Sequence, residues 1–349
     1  MTDSTQYKLT HYSKGSGCGC KIAPSVLKEI LAGGDLLPSQ PGLLVGYENS
    51  DDAAVLVWKD DDCLISTVDF FSPITDDAFE YGKIAASNAM SDVYAMGGKP
   101  LLAIAILGWP IDQLPASLAA NVLEGARMVC RIAGITLAGG HSIESKEPFF
   151  GLAVSGIVKR KNLKRNNTAR EGDILFLTKP LGTGIISSAA KRELALKEDI
   201  DNAIAVMSRL NNVGEAFGTL EGVHAMTDVT GFGFAGHLLE MTRGSNLSVE
   251  INTETVPVLP GIKYYTDKFI YPDMTMKNYS AFNTDFDSLP SSHLLTICDP
   301  QTSGGLLVAI APKSLNEYIA IVKDFGLQGI ADRKIGQFVA KKDKSIYFI

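Results

Sequence analysis

Cys18 and Lys21 stand in a glycine-rich run, Gly15-Ser16-Gly17-Cys18-Gly19-Cys20-Lys21. Glycines give the backbone freedom to carry a thiol to a partner. An ammonium nearby favours the thiolate, which is the nucleophilic form. The pair therefore suits handling of a soft atom such as sulfur or selenium. Lys21 alternatively neutralises phosphoryl oxygens during their transfer. The bland alternative is a tail with two incidental cysteines. Half a zinc site is a poor reading, because structural zinc takes C-x₂₋₄-C pairs, whereas the spacing here is C-x-C with no second pair.

A second set is a series of dispersed aspartates. Asp51-Asp52 precedes the apolar run AAVLVW, Asp69 closes CLISTVD, Asp92 lies within SNAMSDVYAMGG, and Asp228 sits in MTDVTGFG. Each taken alone reads as a cap or a solvated turn residue. Taken together in one cleft they suit Mg²⁺, a hard ion held by one or two carboxylates plus substrate phosphates. Asp92 stands out because Ala, Met and Val surround it, and a buried acid there needs a partner.

Small-residue segments form the third set. Gly139-Gly140-His141-Ser142 reads as a loop whose N–H groups cradle phosphate. Lys179-Pro180-Leu181-Gly182-Thr183-Gly184 follows a strand and opens a helix, a position that welcomes an anion. Neither is a Walker A sequence. Gly231-Phe232-Gly233-Phe234-Ala235-Gly236, with Glu250 beyond it, superficially meets the dinucleotide-binding fingerprint. The preceding run VHAM reads as a weak strand, and Asp228 would face a bare pyrophosphate, so this match carries little.

The elements that must position these groups alternate along the chain. Strands are predicted at 53–58 and 63–69 around Asp60-Asp61-Asp62, and at 101–107, 149–158, 173–178, 294–298 and 305–311. Helices are predicted at about 79–96, 117–132 and 202–219, with a helix opening at 182–184 and another near 236. Residues 251–292 carry no clear pattern. The class is α/β (α+β), with mixed sheets and helices in both halves. The division is a mobile glycine-rich segment with its lead-in helix (1–48), a domain at 49–160, and a second at 170–349. The basic stretch Lys159-Arg160-Lys161 with Lys164-Arg165 reads as a solvated connection.

The chain has 349 residues and a formal net charge of -7, with 39 acids against 32 bases. That balance argues against nucleic-acid or acidic-membrane binding. No apolar run is long enough for a membrane span, and the opening MTDSTQYKLT lacks a signal-peptide layout. Cys63, Cys130 and Cys298 fall in apolar runs as buried thiols, and a reducing cytoplasm fits all five cysteines.

These pieces, in this order, resemble selenophosphate synthetase, within the superfamily of aminoimidazole ribonucleotide synthetase-like ATP enzymes. The strings are GSGCGCK (15–21), DDAAV (51–55), STVDFF (66–71), NAMSDVYAMGGKP (88–100), LAGGHS (137–142), KPLGTG (179–184), TDVTGFGFAGH (227–237) and DPQTSGGLL (299–307). They span nearly the whole chain, and GSGCGCK narrows the superfamily to the selenium enzyme. The resemblance implies the reaction ATP + selenide + water giving selenophosphate, AMP and phosphate. It implies Cys18 and Lys21 as catalytic residues and Asp52, Asp92 and Asp228 as magnesium ligands. It implies nucleotide contacts at Lys21, Asn49, Ser50, Asp51, Asp69, Asp92, Gly140, His141 and Ser142. It further implies more than one Mg²⁺, K⁺ as activator, a homodimer built through the N-terminal domains, and a selenium-delivery protein as a partner. Competing readings are another ATP-dependent synthetase of the superfamily and a non-catalytic nucleotide-binding regulator.

Overall fold

The computed structural model describes residues 7–13, 15–17, 19, 21–22, 26, 29–30, 40–46 and 51–349. Cys18, Cys20, Asn49 and Ser50 lie outside the described residues. The first half is a sheet of β1 (Leu43–Val45), β2 (Ala54–Lys59), β3 (Asp62–Phe71), β4 (Lys99–Trp109), β5 (Thr136–Glu144) and β6 (Phe149–Lys159), in the order β1-β2-β3-β6-β4-β5. Only β4 and β5 pair in parallel. The β2–β3 hairpin turns at Asp60, whose positive φ of 53° an aspartate tolerates. Among the described residues, α1 (Ala78–Ala95) and α2 (Ala116–Ile132) are the long helices of this half.

Helix α1 starts where the Asp77 carboxylate accepts the Glu80 N–H, at 3.0 Å. It is buried around nearly its whole circumference. One side meets β3 and β6, another meets α2, and the remainder faces the second half of the chain. Packing against α2 is close enough that a Cβ on Gly82 would stand 1.9 Å from the Val122 carbonyl oxygen. A helix so enclosed must be apolar all round. Of its polar exceptions, Ser87, Asn88, Ser91 and Asp92 are buried, while Glu80 and Lys83 near its start are half-buried and paired with each other.

The second half is a seven-stranded sheet with helices on both faces. Its strands are β7 (Ile174–Leu177), β8 (Val223–Asp228), β9 (Ser248–Ile251), β10 (Phe286–Asp287), β11 (Leu306–Ile310), β12 (Gly336–Val339) and β13 (Ile346–Phe348), in the order β10-β13-β9-β12-β7-β11-β8. The helices are α3 (Thr183–Lys191), α4 (Lys197–Ser208), α5 (Val213–Thr219), α6 (Gly233–Ser245), α7 (Ile262–Thr266), α8 (Asp273–Phe282), α9 (Ser291–Ile297) and α10 (Leu315–Asp324). Covered on both sides, β11 is buried at every position, which is why LLVAI reads as an unbroken apolar run. Val308 and Phe176 face α5 and α10, while Leu307 and Leu175 face α6. The α/β class with mixed sheets is therefore as expected.

Several local expectations are corrected. The helix expected at 202–219 is two helices, α4 and α5, broken at Arg209, whose backbone is extended. Residues 294–298, expected as a strand, lie in α9 and its cap. A short apolar run does not by itself distinguish the two. The featureless 251–292 holds α7, α8 and short 3₁₀ turns. The basic connection is not wholly solvated either. Lys164 is buried, and its ammonium donates to the Leu220 and Val223 carbonyls at 3.0 and 2.9 Å. Burial pushes its pKa down to about 8. Arg165 reaches back to the Leu44 carbonyl at 2.8 Å, so this stretch fastens the halves together.

Candidate active site

Strand period and helical period together assemble the site. Along β3, Cys63, Ile65 and Phe71 are buried towards the helices while Ser66, Val68 and Phe70 are exposed on the other face. Thr67 and Asp69 share the phase of the buried set, so both point at α1. There they meet two residues one helical turn apart. Thr67 donates its hydroxyl to Asp92, and the Asn88 amide donates to Asp69. The other oxygen of Asp69 faces the Lys21 ammonium at 3.7 Å.

The seam between the halves supplies the rest. Asp228 ends β8, beside α1. Thr227 donates to Asp52 at 2.7 Å, and the Asn166 N–H donates to Asp51 at 2.8 Å. The Asp51-Asp52 pair is thus pinned by two residues from beyond the first sheet. Burial raises the pKa of Asp51, Asp52, Asp92 and Asp228. Mutual repulsion adds to the shift for Asp52, which feels Asp228 and Asp92, and for Asp92, which feels Asp228 and Asp69. One carboxylate oxygen each of Asp51, Asp52 and Asp228 is buried with no hydrogen-bond donor. Orphaned acceptors on converging acids are what a divalent cation satisfies. Among the described residues no group of three or more acids, histidines or cysteines is arranged to hold a metal ion by itself. Magnesium commonly takes a carboxylate or two and leaves its remaining positions to phosphate and water.

The glycine-rich segment is docked where it is described. Gly17 N–H donates to the Ser72 carbonyl at 3.0 Å, and Ser16 donates to the Pro73 carbonyl at 3.1 Å. Lys191 on α3 donates to the carbonyls of Ser13 and Gly15 at 2.7 and 3.1 Å. Asp76 accepts from the Thr10 N–H and hydroxyl. Gly17 lies against Ile74 and Thr302, and Gly19 lies near Pro300. The segment read as mobile thus touches both halves, next to the Lys21–Asp69 pair.

The loop expected at Gly140, His141 and Ser142 and the open anion site expected at the start of α3 are corrected. Gly140, His141 and Ser142 are not in a loop but in β5, the exposed edge strand. Three strand spacings separate β5 from β3, about 14 Å at the usual strand separation, so within one chain they stand apart from Asp69. The N-terminus of α3 is filled by the protein itself. Asp299 accepts from the N–H groups of Gly184 and Ile185 at 3.1 and 3.3 Å, and Gln301 accepts from those of Gly182 and Thr183. KPLGTG and DPQTSGG are therefore two halves of one internal lock. The 231–236 glycines do follow a real strand, β8, contrary to its weak reading. A Cβ on Gly233 would stand 2.9 Å from the Asp299 carbonyl oxygen, and one on Gly236 2.6 Å from Phe232. Protein fills the space a pyrophosphate would need.

Sequence reasoning singled out the acids and missed their partners Thr67, Asn88, Ser91 and Thr227. A signal was present. Asn88 and Ser91 precede Asp92 by four and one positions on a helix with few other polar residues, and Thr67 precedes Asp69 by one strand period.

Comparison with known proteins follows this geometry. Residues 50–158 match the family described as AIR synthase related protein, N-terminal domain, and residues 170–349 match its C-terminal domain. A selenide, water dikinase of Pseudomonas aeruginosa is 50% identical over 325 residues, 93% of this chain and 94% of that protein. One of Bordetella bronchiseptica is 49% identical over 343 residues, covering 98% and 99%. The solved thiamine-monophosphate kinase of Stenotrophomonas maltophilia superposes with a TM-score of 0.64 at 16% identity, covering 94% of this chain and 96% of that one, a likeness of fold.

Proposed function

The chain belongs to the selenide, water dikinase family, and from this premise we propose how its residues carry out the reaction. The enzyme converts ATP, selenide and water to selenophosphate, AMP and phosphate. In the first transfer a P–Se bond forms as the bond from the γ-phosphorus to the bridging oxygen breaks, with ADP leaving. Water then takes the β-phosphoryl group of ADP, leaving AMP and phosphate. The observation that carries the site assignment is the convergence of Asp52, Asp92 and Asp228 at the seam, with donorless buried oxygens on Asp52 and Asp228.

Asp52, Asp92 and Asp228 are the residues that would hold Mg²⁺, with more than one ion expected. Magnesium there supplies neutralisation of phosphate charge between anionic ATP and anionic protein. Asn49, Ser50 and Asp51, which precede Asp52 in the sequence, are the proposed nucleotide contacts. Asp69 fixes Lys21, whose ammonium stabilises charge on the group in transfer. Cys18 delivers or shelters selenium, and the docked glycine segment excludes bulk water from the γ-phosphoryl group. K⁺ activation and a selenium-delivery protein rest on the family resemblance. A cytoplasmic setting is supported by the unpaired, buried Cys63, Cys130 and Cys298. No helix among the described residues is long and apolar enough to cross a membrane.

The enzyme acts as a homodimer on this reading. Val68, Phe70, Leu102, Ile104 and Ile143 on the first sheet are exposed large apolar side chains. A surface of that kind is suited to a second copy. A partner seated there would also give the edge strand with Gly140, His141 and Ser142 a nucleotide to contact. Ile104→Arg should yield a monomer in sedimentation and lose activity; a dimer retained by that variant would remove this part. For the site, AMP formation should require selenide and fall to background in Cys18→Ala and Lys21→Ala. Selenide-dependent AMP at the wild-type rate in Lys21→Ala would remove its assigned role.

A further inference from the structure

Asp52 belongs to the first half of the chain, but a donor that holds it comes from the second. The Thr227 hydroxyl stands 2.7 Å from Asp52 Oδ1 and 3.5 Å from the Asp228 carbonyl oxygen. A hydroxyl has one hydrogen, and the shorter contact, to a carboxylate, takes it. Thr227 is 1% exposed, and its branched Cβ restricts χ1, so the hydroxyl has little room to turn elsewhere. Asp52 Oδ2 is buried with no donor. One oxygen of Asp52 is thus fixed by the protein and the other is left for a ligand.

Thr227 lies on β8, the end strand of the second sheet. Beyond β8 runs the connection between the halves. The Met226 N–H donates to the Arg165 carbonyl at 3.1 Å, and the Asn166 N–H donates to the Asp51 carboxylate at 2.8 Å. β8, the connection and the Asp51-Asp52 pair are therefore joined by consecutive hydrogen bonds across the seam. We propose that Thr227 is a positioning residue for magnesium binding: its hydroxyl fixes Asp52 from across the seam, so the acids hold their metal tightly only while the halves are joined there. The proposal rests on the metal reading of the acids. Thr227→Val keeps the branched shape and the strand preference and removes only the hydroxyl. Thr227→Ser keeps the hydroxyl. Loss of a hydrogen bond that orients a metal ligand weakens metal binding by about 10- to 100-fold.

The test is Mn²⁺ binding, read by electron paramagnetic resonance without turnover, in wild type, Thr227→Val and Thr227→Ser. Thr227→Val should bind Mn²⁺ about 10- to 100-fold more weakly than wild type, and Thr227→Ser should stay close to wild type. Wild-type affinity in Thr227→Val overturns the proposal. So does a loss in Thr227→Ser as large as in Thr227→Val, since the hydroxyl would then not be the cause. A second measurement needs no variant. Coupling is reciprocal, and opening the seam breaks the same bond, so saturating Mg²⁺ should slow hydrogen exchange at the Asn166 N–H of wild type by at least about 10-fold. Exchange there unchanged by Mg²⁺ overturns the proposal even if Thr227→Val does not fold. Wild type that binds no Mn²⁺ removes the metal reading of the acids and the proposal with it, an outcome distinct from wild-type binding that Thr227→Val leaves intact.

Discussion

Gly17→Ala is a sharp test of how the glycine-rich segment meets the site. Gly17 has φ +54°, and an added Cβ would stand 2.1 Å from Ile74 Cδ1 and 2.4 Å from Thr302 Oγ1. Left-handed backbone costs a non-glycine residue about 1–2 kcal/mol. Both clashing atoms end side chains, so they shift in place of the backbone, but Ile74 and Thr302 are buried, and the displacement adds about 1 kcal/mol. The docked state should therefore lose about 2–3 kcal/mol, a factor of about 30 to 150 in its population. Hydrogen exchange reads this directly at the Gly17 N–H, which is bonded to the Ser72 carbonyl. Exchange there should accelerate by that factor while amides of α1 stay protected, since only the segment opens. Selenide-dependent turnover should fall alongside. Gly17→Ala exchanging at the wild-type rate would refute the docking argument, because steric cost and backbone cost would both have been avoided.

Other perturbations give separate readouts. Asp299 has its pKa raised to about 8 by burial, from 3.8; its contribution to stability is complete below the unfolded value and is lost as pH rises through the folded one. Urea midpoints should therefore decline between pH ~4 and ~8, and Asp299→Asn should flatten that slope; an unchanged slope would count against the assignment. Lys164→Met keeps the stem but strips donors from the half-buried Leu220 and the buried Val223 carbonyls, costing about 1–3 kcal/mol in denaturant titration; no loss would mean the seam is held elsewhere. The acids Asp52, Asp92 and Asp228 have raised pKa values, so metal-free protein should lose stability as pH rises and they ionise. Mg²⁺ should offset this, giving a thermal shift that grows as pH rises; a shift independent of pH would argue against metal at those acids.

What was legible in the sequence was local. Asp92 announced itself because an acid within an Ala- and Met-rich helix needs a partner. The strands around Asp60 and the helix from about 79 to 96 followed from period and caps. What was not legible depends on distant pairing. Nothing near KPLGTG indicates that Asp299 and Gln301 occupy its helix start, so the segment read as an open anion site. Nothing near Gly140 fixes its strand as the sheet edge. Lys164 looked solvated because only the folded chain brings the Leu220 and Val223 carbonyls to it. Cys18 carries the resemblance yet lies outside the described residues, so its role rests on its neighbours Gly17, Gly19 and Lys21.

The central claim is tested most directly by phosphorus NMR of the wild-type enzyme with ATP, Mg²⁺, K⁺ and selenide under anaerobic conditions. A phosphorus resonance coupled to selenium, with AMP and phosphate formed in equal amount to it, is the predicted result. ADP accumulating with no such resonance would contradict it and would make this chain a different ATP-using enzyme on the same fold.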